Sequence, residues 1–200
     1  CLSSIDANGL SRPCWQPDFI SRLLPQDRCH LNGLAMRDGQ AAYVTVVADS
    51  DVTDGWRDRR DDGGCVIDVI NNEIVARGLS MPHSPRWHRD RLWLLNSGTG
   101  EIGHIDLDSG RFEPVAFCPG YLRGLAFMRE IAVVGMSLPR ENKTFSGLKL
   151  DEELAERKMT PRTGRYFIDT RNGSIFHSMN FEGILTELYD VCVRPGIRQP

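Results

Sequence analysis

A chain of 200 residues with a net charge of −3 and 40% hydrophobic content suits one domain with a real core, or a piece of a larger protein. Its arginines are scattered among aspartates rather than gathered into a basic run, so the charge balance selects neither nucleic acid nor an anionic membrane as partner. No stretch approaches the ~20 apolar residues of a membrane span, no signal peptide opens the sequence, and a cytoplasmic location is the expectation.

Residues 1–28 read as the remnant of a preceding repeat plus a proline-rich connection. Pro13, Pro17 and Pro25 argue against a continuous strand there. The sequence opens on Cys1 with no initiator Met, so more chain is expected before it. From residue 29 a pattern repeats. HLNGLAM (30–36) reads as a strand, RDGQ as a turn and AAYVTVV as a second strand. A third strand contains Ile67-Asp68, ends in a turn of Asn residues, and is followed by a fourth, EIVARGLS. HSPRWH (83–88) and LRGLAF (122–127) open two further units of the same order, and LYDVCV (188–193) opens another. The turn aspartates Asp68, Asp106 and Asp169 recur with the openings, at intervals of 38 and 63 residues.

Two insertions interrupt the pattern. DSDVTDGWRDRRDDGG lengthens the first unit. Its start resembles a calcium loop, but Gly55 falls one place late and Arg60 stands where a bidentate Glu is needed, so it reads as a solvated segment. The second, about Glu141 to Thr163, accounts for the longer interval, and the charge spacing of LDEELAERK predicts a short surface helix. Radial repetition of four-stranded units of about 40 to 50 residues is the mark of a propeller. The expectation is therefore all-β: a β-propeller of four-stranded antiparallel blades, incomplete, with about three to four blades present. They fall at roughly 29–82, 83–121 and 122–187, with a partial blade at 188–200. A Greek-key sandwich is the alternative, and it gives no reason for the aspartates to recur with the openings.

Six cysteines show neither CxxC nor zinc-ligand spacing, and Cys65 and Cys192, in β-like runs, are expected to be small buried hydrophobes. No GxSxG elbow, GxGxxG turn or GxxxxGK[ST] loop occurs, so neither a serine hydrolase of the α/β type nor a nucleotide phosphate loop is indicated.

RCHLNGLAM, GLSMPHSPRWH, RGLAF and the closing RPGIRQP together resemble a family of conserved hypothetical proteins known only as a domain of unknown function. The resemblance spans essentially the whole chain, with PHSPRWH its most specific part. It implies a propeller-like fold and members longer at the N-terminus. NGLA followed by YVT also resembles the metal-binding strand opening of gluconolactonases and senescence-marker-type lactonases, which are six-bladed propellers. That likeness implies a divalent cation, Ca or Mg, on Asn32. The corresponding openings here hold Ser84, Arg123 and Tyr189 in place of acidic and amide ligands.

If the openings are the inner strands, polar groups converge near the axis at one end: His30, Asn32, His83, Ser84, Tyr121, Arg123, Glu187, Tyr189 and Asp190. Arg123 would hold a carboxylate or phosphate through its planar fork, with Tyr121, Tyr189 and Ser84 beside it. His83 or His30, titrating near neutrality, would serve as general base. Asn32, Glu187 and Asp190 would form an oxygen-rich cation site. Each has a structural alternative: a hydrogen-bonded histidine, an Asn satisfying a turn, or an Arg123 paired with Asp190 or Glu187. The expected function is a binding or scaffold module for a small anionic ligand or a protein partner at the axial mouth. A divalent-metal-dependent hydrolase of the lactonase type is the alternative.

Overall fold

AAYVTVV, LWLLN and IAVVGMS are almost unbroken apolar runs, which suits strands covered on both faces. In the structure, a computed structural model that describes residues 1–139, 146–194 and 196, each lies in the second strand of a four-stranded sheet. A hairpin of β1 (Leu2–Ile5) and β2 (Ser11–Trp15) comes first. Blade A follows as β3 (Leu31–Arg37), β4 (Gln40–Val46), β5 (Gly64–Asp68) and β6 (Glu73–Leu79). Blade B is β7 (Pro82–His88), β8 (Arg91–Asn96), β9 (Glu101–Asp106) and β10 (Arg111–Phe117). Blade C is β11 (Tyr121–Met128), β12 (Ile131–Ser137), β13 (Gly164–Asp169) and β14 (Ile175–Asn180). Within each blade the strands pair antiparallel in sequence order.

β8 shows how the blades stack. Successive side chains of a strand point to opposite faces. Leu92 and Leu94 enter a core shared with Ala35, Tyr43, Val66 and Leu79 of blade A. Trp93 and Leu95 enter one shared with Leu122, Leu125, Val134 and Met136 of blade C. Strand β7 packs between β3 and β11. Comparable sheets thus stand side by side around a shared centre: the fold is a β-propeller of four-stranded antiparallel blades, three of them among the described residues.

Turn chemistry explains the repeat. Asp38-Gly39 closes β3–β4 and Arg89-Asp90 closes β7–β8 with both residues at positive φ, which matches the right-handed twist of a hairpin. Between the third and fourth strands the carboxylates of Asp68, Asp106 and Asp169 accept the backbone N–H two residues on, from Ile70 (2.8 Å), Asp108 (3.1 Å) and Arg171 (3.0 Å). These are Asx turns, the reason an aspartate recurs there.

Several expectations are corrected. Pro13 lies inside β2, which pairs on one side only, so its missing N–H is tolerated at an edge. Leu2, Trp15, Phe19 and Ile20 cover the face of blade A opposite blade B. The expected partial blade at 188–200 has no strand in its described part. Residues 195 and 197–200 lie outside the described residues, as do the start of the second insertion, 140–145, and most of RPGIRQP. Instead, 186–191 runs back over blade C. Leu138 N–H donates to Thr186 O (2.9 Å), and Leu188 N–H to Ser137 Oγ (2.9 Å). Gly124 (φ +83°) permits the passage, since a Cβ there would meet the Asp190 carbonyl carbon at 2.6 Å. Cys192 is exposed, whereas Cys29, Cys65 and Cys118 are buried, and all six cysteines are free.

Both insertions connect the second and third strands of their blades. α1 (Lys149–Glu156) forms within the stretch whose charge spacing predicts a helix, and it buries Leu150 and Leu154 against Trp56, Met81 and Tyr121. It docks on blade B through Leu150 N–H to Gly98 O (2.8 Å). Among the described residues no helix is long and apolar enough to cross a membrane.

Candidate functional site

All three inner strands are irregular at corresponding places. The register with the second strand slips between Leu31 and Gly33 in β3, between His83 and Arg86 in β7, and between Leu122 and Leu125 in β11. The displaced residues are Asn32, Ser84-Pro85 and Arg123-Gly124. A bulge re-aims a side chain that an ideal ladder would send elsewhere. Here three bulges turn Asn32, Ser84 and Arg123 towards one cavity of about 720 Å³.

Close approach of the blades demands the glycine of NGL. A Cβ on Gly33 would strike the Pro85 ring and lie 2.6 Å from Thr45 Oγ1. Asn32 is therefore on a strand pressed against its neighbour. Its Oδ1 accepts the Thr45 hydroxyl (2.8 Å), and its Nδ2 lies 3.4 Å from His83 Nε2. Nδ1 of His83 lies 2.8 Å from the Met81 carbonyl, which can only accept, so that nitrogen carries the proton. Burial, helped by the positive charge of Arg123, pushes the His83 imidazole down to about 3. His83 is thus a neutral, buried ring with a fixed tautomer. The near-neutral titration expected for a general base is not met there.

His30 stands at positive φ (49°), with Nδ1 2.6 Å from Asp27 Oδ2 and its ring stacked on Trp56 at 4.3 Å. Ser84, also at positive φ (52°), accepts the Gly124 N–H (3.0 Å) and so ties the bulges of β7 and β11 together.

The cavity wall carries three arginines, and two of them have carboxylate partners. Arg86 Nη2 reaches Asp190 Oδ1 at 3.2 Å, and Arg57 Nε reaches Asp54 Oδ1 at 3.0 Å. Arg123 does not pair with Asp190. Among the described residues its guanidinium makes no ion pair or hydrogen bond, and its Nε is buried without a partner. It lies 5.0 Å from the ring centre of Tyr189 and 5.6 Å from that of Tyr121.

Of the residues picked from sequence, His30, Asn32, His83, Ser84, Arg123, Tyr189 and Asp190 line the cavity. Tyr121 and Glu187 do not. Tyr121 is 4% exposed and packs edge-on against His83 within the apolar cluster under α1. Glu187 lies in the segment that returns over blade C, between Thr186 and Leu188, and is not among the lining residues. The Asn32, Glu187 and Asp190 set is therefore not assembled. Asp27, Trp56, Arg57 and Arg86 also line the site. Trp56 was the legible signal: a tryptophan inside a charged insertion, here 2% exposed.

No curated protein matches the chain. Among solved structures it is similar to the computationally designed Ika4 protein, at 13% identity over 86% of this chain and 84% of that one, TM-score 0.48. A protein of unknown function from Bacteroides caccae aligns at 10% identity over 88% and 73%, TM-score 0.45. BamB from Moraxella catarrhalis aligns at 15% identity over 74% of this chain, TM-score 0.41, and the match spans only 37% of BamB's length. The family model that matches is decisive in extent: residues 1–200 fit the domain of unknown function DUF4915, and the chain belongs to that family.

Proposed function

We propose that the chain is a binding module that takes a small anionic ligand, a carboxylate or phosphate, into the axial cavity with Arg123 as its anchor. One observation carries this reading. Arg123 is the wall arginine with no carboxylate partner among the described residues, and its buried Nε lacks an acceptor. A buried donor without a partner is costly, and a planar guanidinium between aromatic rings is organised for a forked oxygen pair. A ligand carboxylate or phosphate supplies what the protein does not.

The divalent-metal hydrolase reading has no comparable support. It needs the amide oxygen of Asn32, which accepts the Thr45 hydroxyl, and Glu187, which is off the wall. Among the described residues no group of three His, Cys, Asp or Glu is placed to hold a metal ion.

Calorimetric titration of the full chain with phosphate, acetate and phosphoglycolate tests the proposal. At least one probe should bind, and Arg123→Gln should weaken it roughly tenfold or more, as expected for a lost charge-assisted bond. Arg123→Lys should fall between, since it keeps the charge and loses the fork. Binding of equal strength in wild type and Arg123→Gln, or no binding at all, overturns it.

A further inference from the structure

The amide of Asn32 can face either way in principle, but its neighbours leave one arrangement. Thr45 donates its hydroxyl to Oδ1. His83 has its Nδ1 proton committed to the Met81 carbonyl, so a bare lone pair remains on Nε2. A carbonyl oxygen turned towards that lone pair would be repelled, whereas an N–H is attracted. One N–H of Asn32 therefore aims at His83 Nε2, at 3.4 Å between nitrogens, and the other is left for the cavity. Ser97 reinforces the arrangement. Its hydroxyl donates to the Leu122 carbonyl (2.7 Å) and its oxygen lies 3.3 Å from His83 Nδ1, on the proton-bearing side.

We propose that Asn32 is the second donor to the anion held by Arg123, and that His83 and Thr45 are positioning residues that keep its amide N–H towards the ligand. This rests on the Arg123 reading and narrows it. With guanidinium N–H groups from one bulge and an amide N–H from another, the wall presents donors to a ligand with at least two acceptor oxygens. That is an oxyanion rather than a cation. The sequence similarity to metal-binding NGL openings is then one of position only: the same Asn on the same inner strand, with its oxygen turned away.

Inorganic phosphate and calcium are the probes. In ¹⁵N-labelled full-length chain, the side-chain amide of Asn32 is identified by its disappearance in Asn32→Asp. Its signal should shift on addition of phosphate and stay unmoved with calcium. Asn32→Asp, which replaces the donor by an acceptor of the same shape, should weaken phosphate at least tenfold with thermal unfolding checked in parallel. His83→Phe should keep Arg123 yet uncouple the Asn32 signal from phosphate. Should that variant not fold, the isosteric Thr45→Val is the second test, with a loss of several-fold. If Arg123→Gln loses phosphate while Asn32→Asp stays within twofold and the amide signal does not move, the role of Asn32 falls and the Arg123 anchor stands. If the wild type responds to none of phosphate, acetate and phosphoglycolate, both fall; if only a carboxylate probe binds, the same Asn32 shift and losses are required with that probe. A shift of the Asn32 amide by calcium overturns the donor assignment outright.

Discussion

The second strands and the inner strands of the blades are neighbours in sequence and opposites in construction. β4, β8 and β12 are buried along nearly their whole length, and β8–β9 and β12–β13 pair without a slip. β3, β7 and β11 each slip at a matching place, which delivers a polar residue to the cavity, and β3 slips a second time between Ala35 and Met36. The regular strands supply the burial that holds the blades together. The irregular ones spend part of that stability on bulges, positive φ at Ser84, and a buried guanidinium nitrogen without a partner.

The contrast breaks most visibly at β8. Leu95 is fully buried between blades B and C. Leu95→Ala should cost roughly 2–5 kcal/mol of unfolding free energy, read from the denaturant midpoint. A Ser84→Ala change on the adjacent bulge, which loses one hydrogen bond, should cost about 1 kcal/mol. Equal costs would mean that the bulged strands are as much scaffold as the regular ones.

The next effect is on pH dependence. His83 is neutral in the folded protein because its value is lowered from 6.5 to about 3, so between those values the unfolded chain binds the additional proton. Its contribution is present above about pH 6.5 and is lost as pH falls towards 3, by on the order of 3–5 kcal/mol. His104, lowered by burial and by Arg91, acts in the same direction. Asp169, held at about 2 by Arg171, adds a further loss only once pH falls below the ordinary carboxylate range. His83→Gln should therefore flatten the stability profile between about pH 6.5 and 3, the two values of its imidazole. An unchanged slope in that window shows that another group carries it.

The parts of this molecule that were legible in the sequence are those whose cause is local. The Asx-turn aspartates betray themselves by position, because the carboxylate serves a backbone N–H two residues away. The hairpin turns and apolar second strands are equally local. Asn32, Ser84 and Arg123 could be picked because the repeat aligns them, although the bulges that aim them could not be seen. What escaped depends on distant contacts. Tyr121 precedes its bulge just as His83 and Ser84 follow Pro82, but α1, from an insertion about thirty residues on, covers it with Leu148 and Leu150. The choice of Arg86 rather than Arg123 as partner of Asp190 joins residues 104 apart. Trp56 and Arg57 enter the site only because the first insertion folds inward.

The smallest effect concerns that returning segment. Asp190 is largely exposed and holds Arg86 at 3.2 Å, while its Oδ1 also accepts its neighbour Val191 N–H at 2.8 Å. An exposed ion pair of this kind is worth about 0–1 kcal/mol, so Asp190→Asn should leave unfolding almost unchanged. Its influence should instead appear in binding. The carboxylate stands on the cavity wall as a negative charge, and it neutralises an arginine that an incoming anion would otherwise meet. Removing it should raise phosphate affinity a few-fold at low ionic strength, with the gain fading as salt approaches about 1 M, where the Debye length is ~3 Å. The same substitution should do nothing in the Arg123→Gln background if Arg123 is the anchor and Arg86 only assists. An Asp190→Asn protein that binds phosphate more weakly than wild type would mean that the aspartate orders Arg86 for the ligand rather than competing with it.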